Sequence, residues 1–167
     1  IYYSGEGTTI NGEKCLLPFD ANINDEYSFF PLSELYASLS EIQKMKQVQN
    51  ITIFMDVDFN NPAFKQNLAV VFDDSGDKKK KKKGKKKKKE EPELAIEDEI
   101  KPPDGITAFF ASNINQLTYN HPESENGIFT YYLLKGLRGE ADNGDKSVTV
   151  SELHEFIMKN VQDTTSK

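Results

Sequence analysis

Few side chains in this 167-residue chain are equipped for covalent chemistry: one thiol, Cys15, and two imidazoles, His121 and His154. A thiol becomes a nucleophile when a base or a cationic pocket draws off its proton. Cys15 stands between Lys14 and Leu16 at the start of an apolar run, which is the setting of a packed cysteine. His121 precedes a proline in a loop, and His154 sits in a helical pattern with no second ligand nearby, so neither has the spacing of a zinc site. Oxygen ligands are richer in Asp142-Asn143-Gly144-Asp145-Lys146-Ser147-Val148-Thr149-Val150-Ser151-Glu152. A calcium loop needs oxygen at positions 1, 3, 5 and 12 and glycine at 6. With Glu152 at position 12, Asp145 and Asn143 fall correctly, yet Ala141 takes position 1 and Lys146 takes position 6. Turn chemistry and a helix cap are expected there, and no cofactor is expected from any of these sets. Two strings place carboxylates in more unusual company: Tyr2-Tyr3-Ser4-Gly5-Glu6-Gly7, and Phe54-Met55-Asp56-Val57-Asp58-Phe59-Asn60.

The elements that position those strings read as α/β. Ile1 to Ser4 is a strand running into a Gly-rich turn, and Lys14 to Pro18 is a short strand. Leu32, Leu35, Leu39, Ile42 and Met45 recur at helical spacing after Pro31, so residues 31 to about 48 form an amphipathic helix. Ile51-Thr52-Ile53-Phe54-Met55 is the continuous β-branched run of a strand covered on both faces. A further strand is expected at Ile106 to Ser112, a helix at about Gly127 to Arg138, and a last helix from Ser151 to Val161. Ser151 is the expected N-cap of that helix, with Leu153, Phe156, Ile157 and Val161 on its buried face.

The length suits a single domain able to bury a core, and 11 Phe with 7 Tyr supply much of it. No window approaches the ~20 consecutive apolar residues of a membrane span. A single cysteine forms no internal disulfide, which suits a reducing compartment. The net charge of −6 conceals an asymmetry, because Lys78 to Lys83 and Lys85 to Lys89 hold 11 of the 21 basic residues. The remainder is strongly acidic. Like charges repel and such a run buries nothing, so residues 73–104 are expected to be a charged, disordered linker. A solvated loop is the simplest role for it, followed by tethering to an anionic surface through Lys78 to Lys89. Specific nucleic-acid binding is not expected, since no aromatic residue interleaves the lysines.

The two carboxylate strings resemble the active-site motifs of caspase-like cysteine peptidases (caspases, metacaspases and paracaspases). In that family the first reads Tyr-Tyr-Ser-Gly-His-Gly, with the general-base histidine, and the second reads Asp-Ala-Cys-Phe-Ser-Gly, with the nucleophile. Glu6 stands at the histidine position and Asp58 at the cysteine position. Leu16-Leu17-Pro18-Phe19-Asp20 resembles the strand after the histidine loop, and Ile128 to Gly139 resembles a late helix of many microbial and protist members. The resemblance implies a caspase-like (caspase/hemoglobinase) fold, a mostly parallel sheet flanked by helices. It divides the chain into a large-subunit part (1–72), the linker (73–104), a small-subunit part (105–162) and a tail (163–167). Because the family places its first strands and two helices before the histidine strand, a preceding segment is expected to complete the domain.

The resemblance further implies a thiol mechanism from which both working groups are gone. Asp58 is a poor nucleophile toward amides, and a glutamate beside it repels it instead of activating it. An aspartic-type dyad needs a symmetric pair sharing one proton, and nothing in the sequence supplies that symmetry. In members that cleave after Arg or Lys, two aspartates line the pocket for the basic side chain. The matching residues are Asp20 and Asp56. Up to four carboxylates would then face one cleft, a cluster that must be solvated, protonated, metal-bound or paired with a cation. The expected function is a catalytically inactive caspase-like domain serving as a structural or protein-binding module among other protein chains of a larger complex. The alternative is a hydrolase that uses a non-cysteine nucleophile or a bound metal in the same cleft. A cytoplasmic setting is expected, and the Lys/Glu-rich linker resembles those of cytoskeletal and ciliary proteins of single-celled eukaryotes.

Overall fold

The computed structural model describes residues 1–22, 25–45, 48–59, 101–112, 120–121 and 124–166. The Lys78 to Lys89 run and nearly all of the expected linker lie outside the described residues. Five strands are described: β1 (Tyr2–Ile10), β2 (Glu13–Leu17), β3 (Phe30–Pro31), β4 (Ile51–Asp58) and β5 (Ile106–Phe110). They lie in the order β3-β2-β1-β4-β5. β1, β4 and β5 run parallel, β2 pairs antiparallel with β1, and β3 pairs antiparallel with β2. The α/β architecture is as expected, with a mixed sheet whose parallel trio, β1-β4-β5, makes up one side of the described order. Helices α1 (Leu32–Lys44), α2 (Ile128–Lys135) and α3 (Val150–Thr165) cover it.

Strand alternation sorts the core into two faces. Ile51, Ile53, Met55, Val57 and Phe59 point one way and pack with Leu32, Tyr36 and Leu39 of α1. Phe54 and Phe109 point the other way and meet Phe129 and Leu133 of α2 and Leu153 and Ile157 of α3. Helices on both faces explain why β4 reads as an unbroken apolar run. That second face is also where the alternation puts Asp56 and Asp58.

Several boundaries differ from the sequence reading for identifiable reasons. β1 continues to Ile10 because β2 folds back through Asn11-Gly12, both at positive φ, and pairs with its second half. Pro31 is the N-cap of α1, so the helix starts one residue later than its proline implied. Ile42 and Met45 are exposed, because the buried stripe of α1 ends at Leu39. Helical spacing identifies residues that share a face, not how far the opposing surface extends. The α helix α2 stops at Lys135, and a wider π-type turn occupies Gly136–Glu140.

Helix α3 is capped by Thr149, not by the expected Ser151. Thr149 Oγ1 accepts from the Glu152 N–H at 3.2 Å, and Glu152 Oε2 accepts from the Thr149 N–H at 2.8 Å, which closes a capping box. Thr149→Ala is expected to cost about 1 kcal/mol in urea unfolding. These bonds, led by the Thr149 backbone N–H, hold the Glu152 carboxyl below its ordinary value. A depressed folded-state value means that the contribution is present above the ordinary carboxylate range and is lost as pH falls through it. Glu152→Gln should therefore flatten the acid limb of a pH–stability curve, and an unchanged limb would remove Glu152 from that role.

Candidate functional site

The parallel pairing of β1 with β4 sets the geometry of the two carboxylate strings. In that register Ser4 lies opposite Asp56 and Glu6 lies opposite Asp58. Directly opposed residues on neighbouring strands share a face, with the strands about 4.8 Å apart. Glu6, midway along β1, and Asp58, the last residue of β4, thus lie side by side where the parallel pairing of the two strands ends, on the face covered by α2. Glu6 is exposed and Asp58 is buried. Gly7 leaves room for two side chains of the opposite face. A Cβ at that position would lie 2.7 Å from Val57 Cγ2 and 2.8 Å from Phe59 Cδ1, so a larger residue would have to displace those side chains.

Asp56, two residues back on the same face, is half-buried against the start of α2. It accepts a hydrogen bond from Thr130 Oγ1, and Thr130 Oγ1 lies 2.8 Å from the Tyr2 hydroxyl. A Cβ at Gly127 would sit 2.8 Å from Asp56 Oδ2, so the carboxylate lies directly on the backbone at the N-terminus of that helix. Asp20 is placed differently. It is exposed in the turn after β2, and among the described residues no hydrogen bond or ion pair joins it to Glu6, Asp56 or Asp58. Three of the four carboxylates therefore share one sheet face, and the fourth sits in a surface turn.

Cys15 lies on β2 opposite Thr8 and is buried beside Phe29. Burial, reinforced by the Glu13 carboxylate, pushes its thiol up to about 11 from an ordinary 9. A thiol that gives up its proton only in more alkaline solution holds correspondingly less thiolate near neutrality, about tenfold less for each step of one in pH. Alkylation of Cys15 by iodoacetamide near neutral pH is thus expected to be on the order of 100-fold slower than in urea-unfolded chain. Equal rates would place the thiol at the surface.

In the Asp142–Glu152 loop the carboxylates serve the backbone. Asp142 Oδ1 accepts from the N–H groups of Gly144 at 2.8 Å and Asp145 at 3.0 Å, and Asp145 Oδ1 accepts from Ser147 at 2.8 Å. The Gly144 N–H leads the bonds that hold the Asp142 carboxyl below its ordinary value. With Glu152 engaged in the cap, this is the turn and helix start that its spacing implied. Among the described residues, no group of three or more His, Cys, Asp or Glu side chains is arranged to hold a metal ion.

Sequence reasoning missed the partners of Asp56. Thr130 is a buried polar residue in the otherwise apolar run Ile128-Phe129-Thr130-Tyr131-Tyr132-Leu133, and that mismatch was its one available signal. Also unforeseen were His121, stacked on Tyr131 at 3.8 Å between centroids, and the Lys14 ammonium, 5.5 Å from the Phe59 ring and 5.7 Å from that of Phe110.

A family model described as the caspase domain matches residues 1–167. The chain belongs to the caspase-domain family. The match takes in the charged segment at 73–104 and the tail. Comparison with curated proteins and with solved structures found no significant match. Within this caspase domain, the motif resemblance puts the general base at Glu6 on β1 and the nucleophile at Asp58 on β4. No described helix is long and apolar enough to cross a membrane.

Proposed function

We propose that this caspase domain is a non-hydrolytic member of its family that serves as a protein-binding module in a larger assembly. The register of Glu6 against Asp58 carries the reading, because it puts two like charges where amide hydrolysis by this family's route needs a base beside a thiol. Cys15 supplies no substitute: it is buried on another strand, and its thiol is raised instead of activated. Asp56, with Glu6 and Asp58 on the same sheet face, carries the negative field of the vestigial pocket for a basic side chain, and Asp20 adds its charge from the surface turn after β2. A Lys or Arg side chain from a partner protein is the occupant whose charge such a cleft complements. The Lys78 to Lys89 run adds a salt-sensitive contact with an anionic surface in a cytoplasmic, cytoskeletal or ciliary setting.

The test combines a peptidase assay on lysyl and arginyl substrates with NMR titration of uncleavable basic peptides. Binding without cleavage, weakened by Asp56→Asn and by salt, is the expected result. Turnover that survives Cys15→Ala would return the domain to the hydrolases.

A further inference from the structure

Thr130 has one hydroxyl proton, and its geometry shows where that proton goes. The hydroxyl donates to Asp56 Oδ2, so its own oxygen is left to accept, and the Tyr2 hydroxyl at 2.8 Å is the donor. The result is a directed chain, Tyr2 to Thr130 to Asp56, joining residues far apart in sequence. Thr130 is buried, while Tyr2 is half-exposed. The chain ends at a helix start that lacks a cap of its own. The N-cap of α2, Gly127, supplies no side-chain hydrogen bond, and the first turn contains no acidic residue. The partial positive charge of that end meets the Asp56 carboxylate instead, with Oδ2 2.8 Å and Oδ1 3.3 Å from where a Cβ of residue 127 would stand.

We infer that Thr130 is the positioning residue of the acidic cleft: backed by Tyr2, it clamps Asp56 Oδ2 to the open start of α2, so that Oδ1 alone faces a cationic side chain. The presentation half of this inference rests on the cleft-binding function proposed above; the clamp itself does not. A carboxylate with both oxygens open favours guanidinium, whose planar fork pairs with it bidentately. A carboxylate with one oxygen engaged and pressed against backbone favours a compact ammonium, which acts as a point charge. The clamp thus turns a cleft for basic residues toward lysine.

Two measurements separate the clamp from the binding reading. The first is a double-substitution cycle in urea, needing no ligand. Thr130→Val keeps the shape and removes the hydroxyl, so it should lower the folding equilibrium constant about 10- to 100-fold, as for a lost hydrogen bond to a charged group. Thr130→Ser should stay within about threefold of the native chain, because it restores the donor. In an Asp56→Ala background, Thr130→Val should lose most of its effect. Equal losses in both backgrounds would overturn the clamp and leave Thr130 a merely packed residue. The second measurement titrates two uncleavable pentapeptides, differing only in a central Lys or Arg, into native and Thr130→Val protein. The native chain should favour the lysyl peptide and the variant should lose that preference. A native preference for the arginyl peptide, or a ratio unmoved by Thr130→Val, would overturn the presentation. If neither peptide binds, the cleft-binding function falls and presentation falls with it, while the cycle still decides the clamp.

Discussion

Purified, this domain is expected to hydrolyse lysyl and arginyl peptides no faster than the uncatalysed background, on the order of 10⁶ below a working enzyme of comparable design. Acyl transfer by a thiol requires three things together: a nucleophile that is partly thiolate, a base to manage its proton, and donors for the oxyanion. The positions that the motif resemblance gives to the first two hold Asp58 and Glu6, opposite one another in the β1/β4 register. Neither carboxylate can activate the other, since each is an acceptor when ionised. The same register makes the reverse experiment informative. Glu6→His with Asp58→Cys would set an imidazole beside a thiol on one face of the sheet. Iodoacetamide should then label position 58 well ahead of Cys15, whose thiol is pushed up to about 11. Labelling at position 58 no faster than at Cys15, in a variant that still unfolds cooperatively, would show that the pair does not meet across the strands. Hydrolysis by the native chain that vanishes on Asp58→Asn would end the non-hydrolytic reading.

The largest expected loss of stability comes from Ile53→Ala. Ile53 is fully buried in β4, which lies between β1 and β5, and its side chain belongs to the cluster that seats α1 through Leu32, Tyr36 and Leu39. Removing buried methyl and methylene groups loses their transfer free energy and leaves a cavity that the packed sheet only partly closes. A cost of about 2–5 kcal/mol follows, a large share of the ~5–15 kcal/mol that holds a typical domain together. Phe19→Ala is the matched control. Phe19 is larger but fully exposed, so its loss should stay within about 0.5 kcal/mol. Urea midpoints of the two variants test the pair. A loss for Ile53→Ala no greater than that for Phe19→Ala would show that α1 is not packed on this face.

Much of the fold was legible because its signals are local. The β-branched run at Ile51 announces a strand covered on both faces, and the spacing from Leu32 to Leu39 announces a helix with one buried side. Ser151 and Thr149 are both hydroxyl residues near an apolar run, so either reads as a helix cap. Only the reciprocal bonds between Thr149 and Glu152 separate them. Ile42 and Met45 keep the helical period yet lie in solvent, since their exposure depends on what stands opposite.

The candidate site divides in the same way. The sequence by itself determined the residue types: carboxylates at the Glu6 and Asp58 positions, a single thiol away from both, and an acidic body with a separate lysine run. It also carried the family membership, because motif strings are contiguous in the chain. Only the tertiary structure decided which of those residues meet. Parallel pairing of two strands far apart in the chain put Glu6 beside Asp58 and left Asp20 in a surface turn. Packing of α2 on the sheet brought Thr130 and Tyr2 to Asp56, partners separated from each other by 128 positions. A side chain's chemical type is local to its residue. Its neighbours are set by the register and packing of distant elements, which no single stretch of sequence contains.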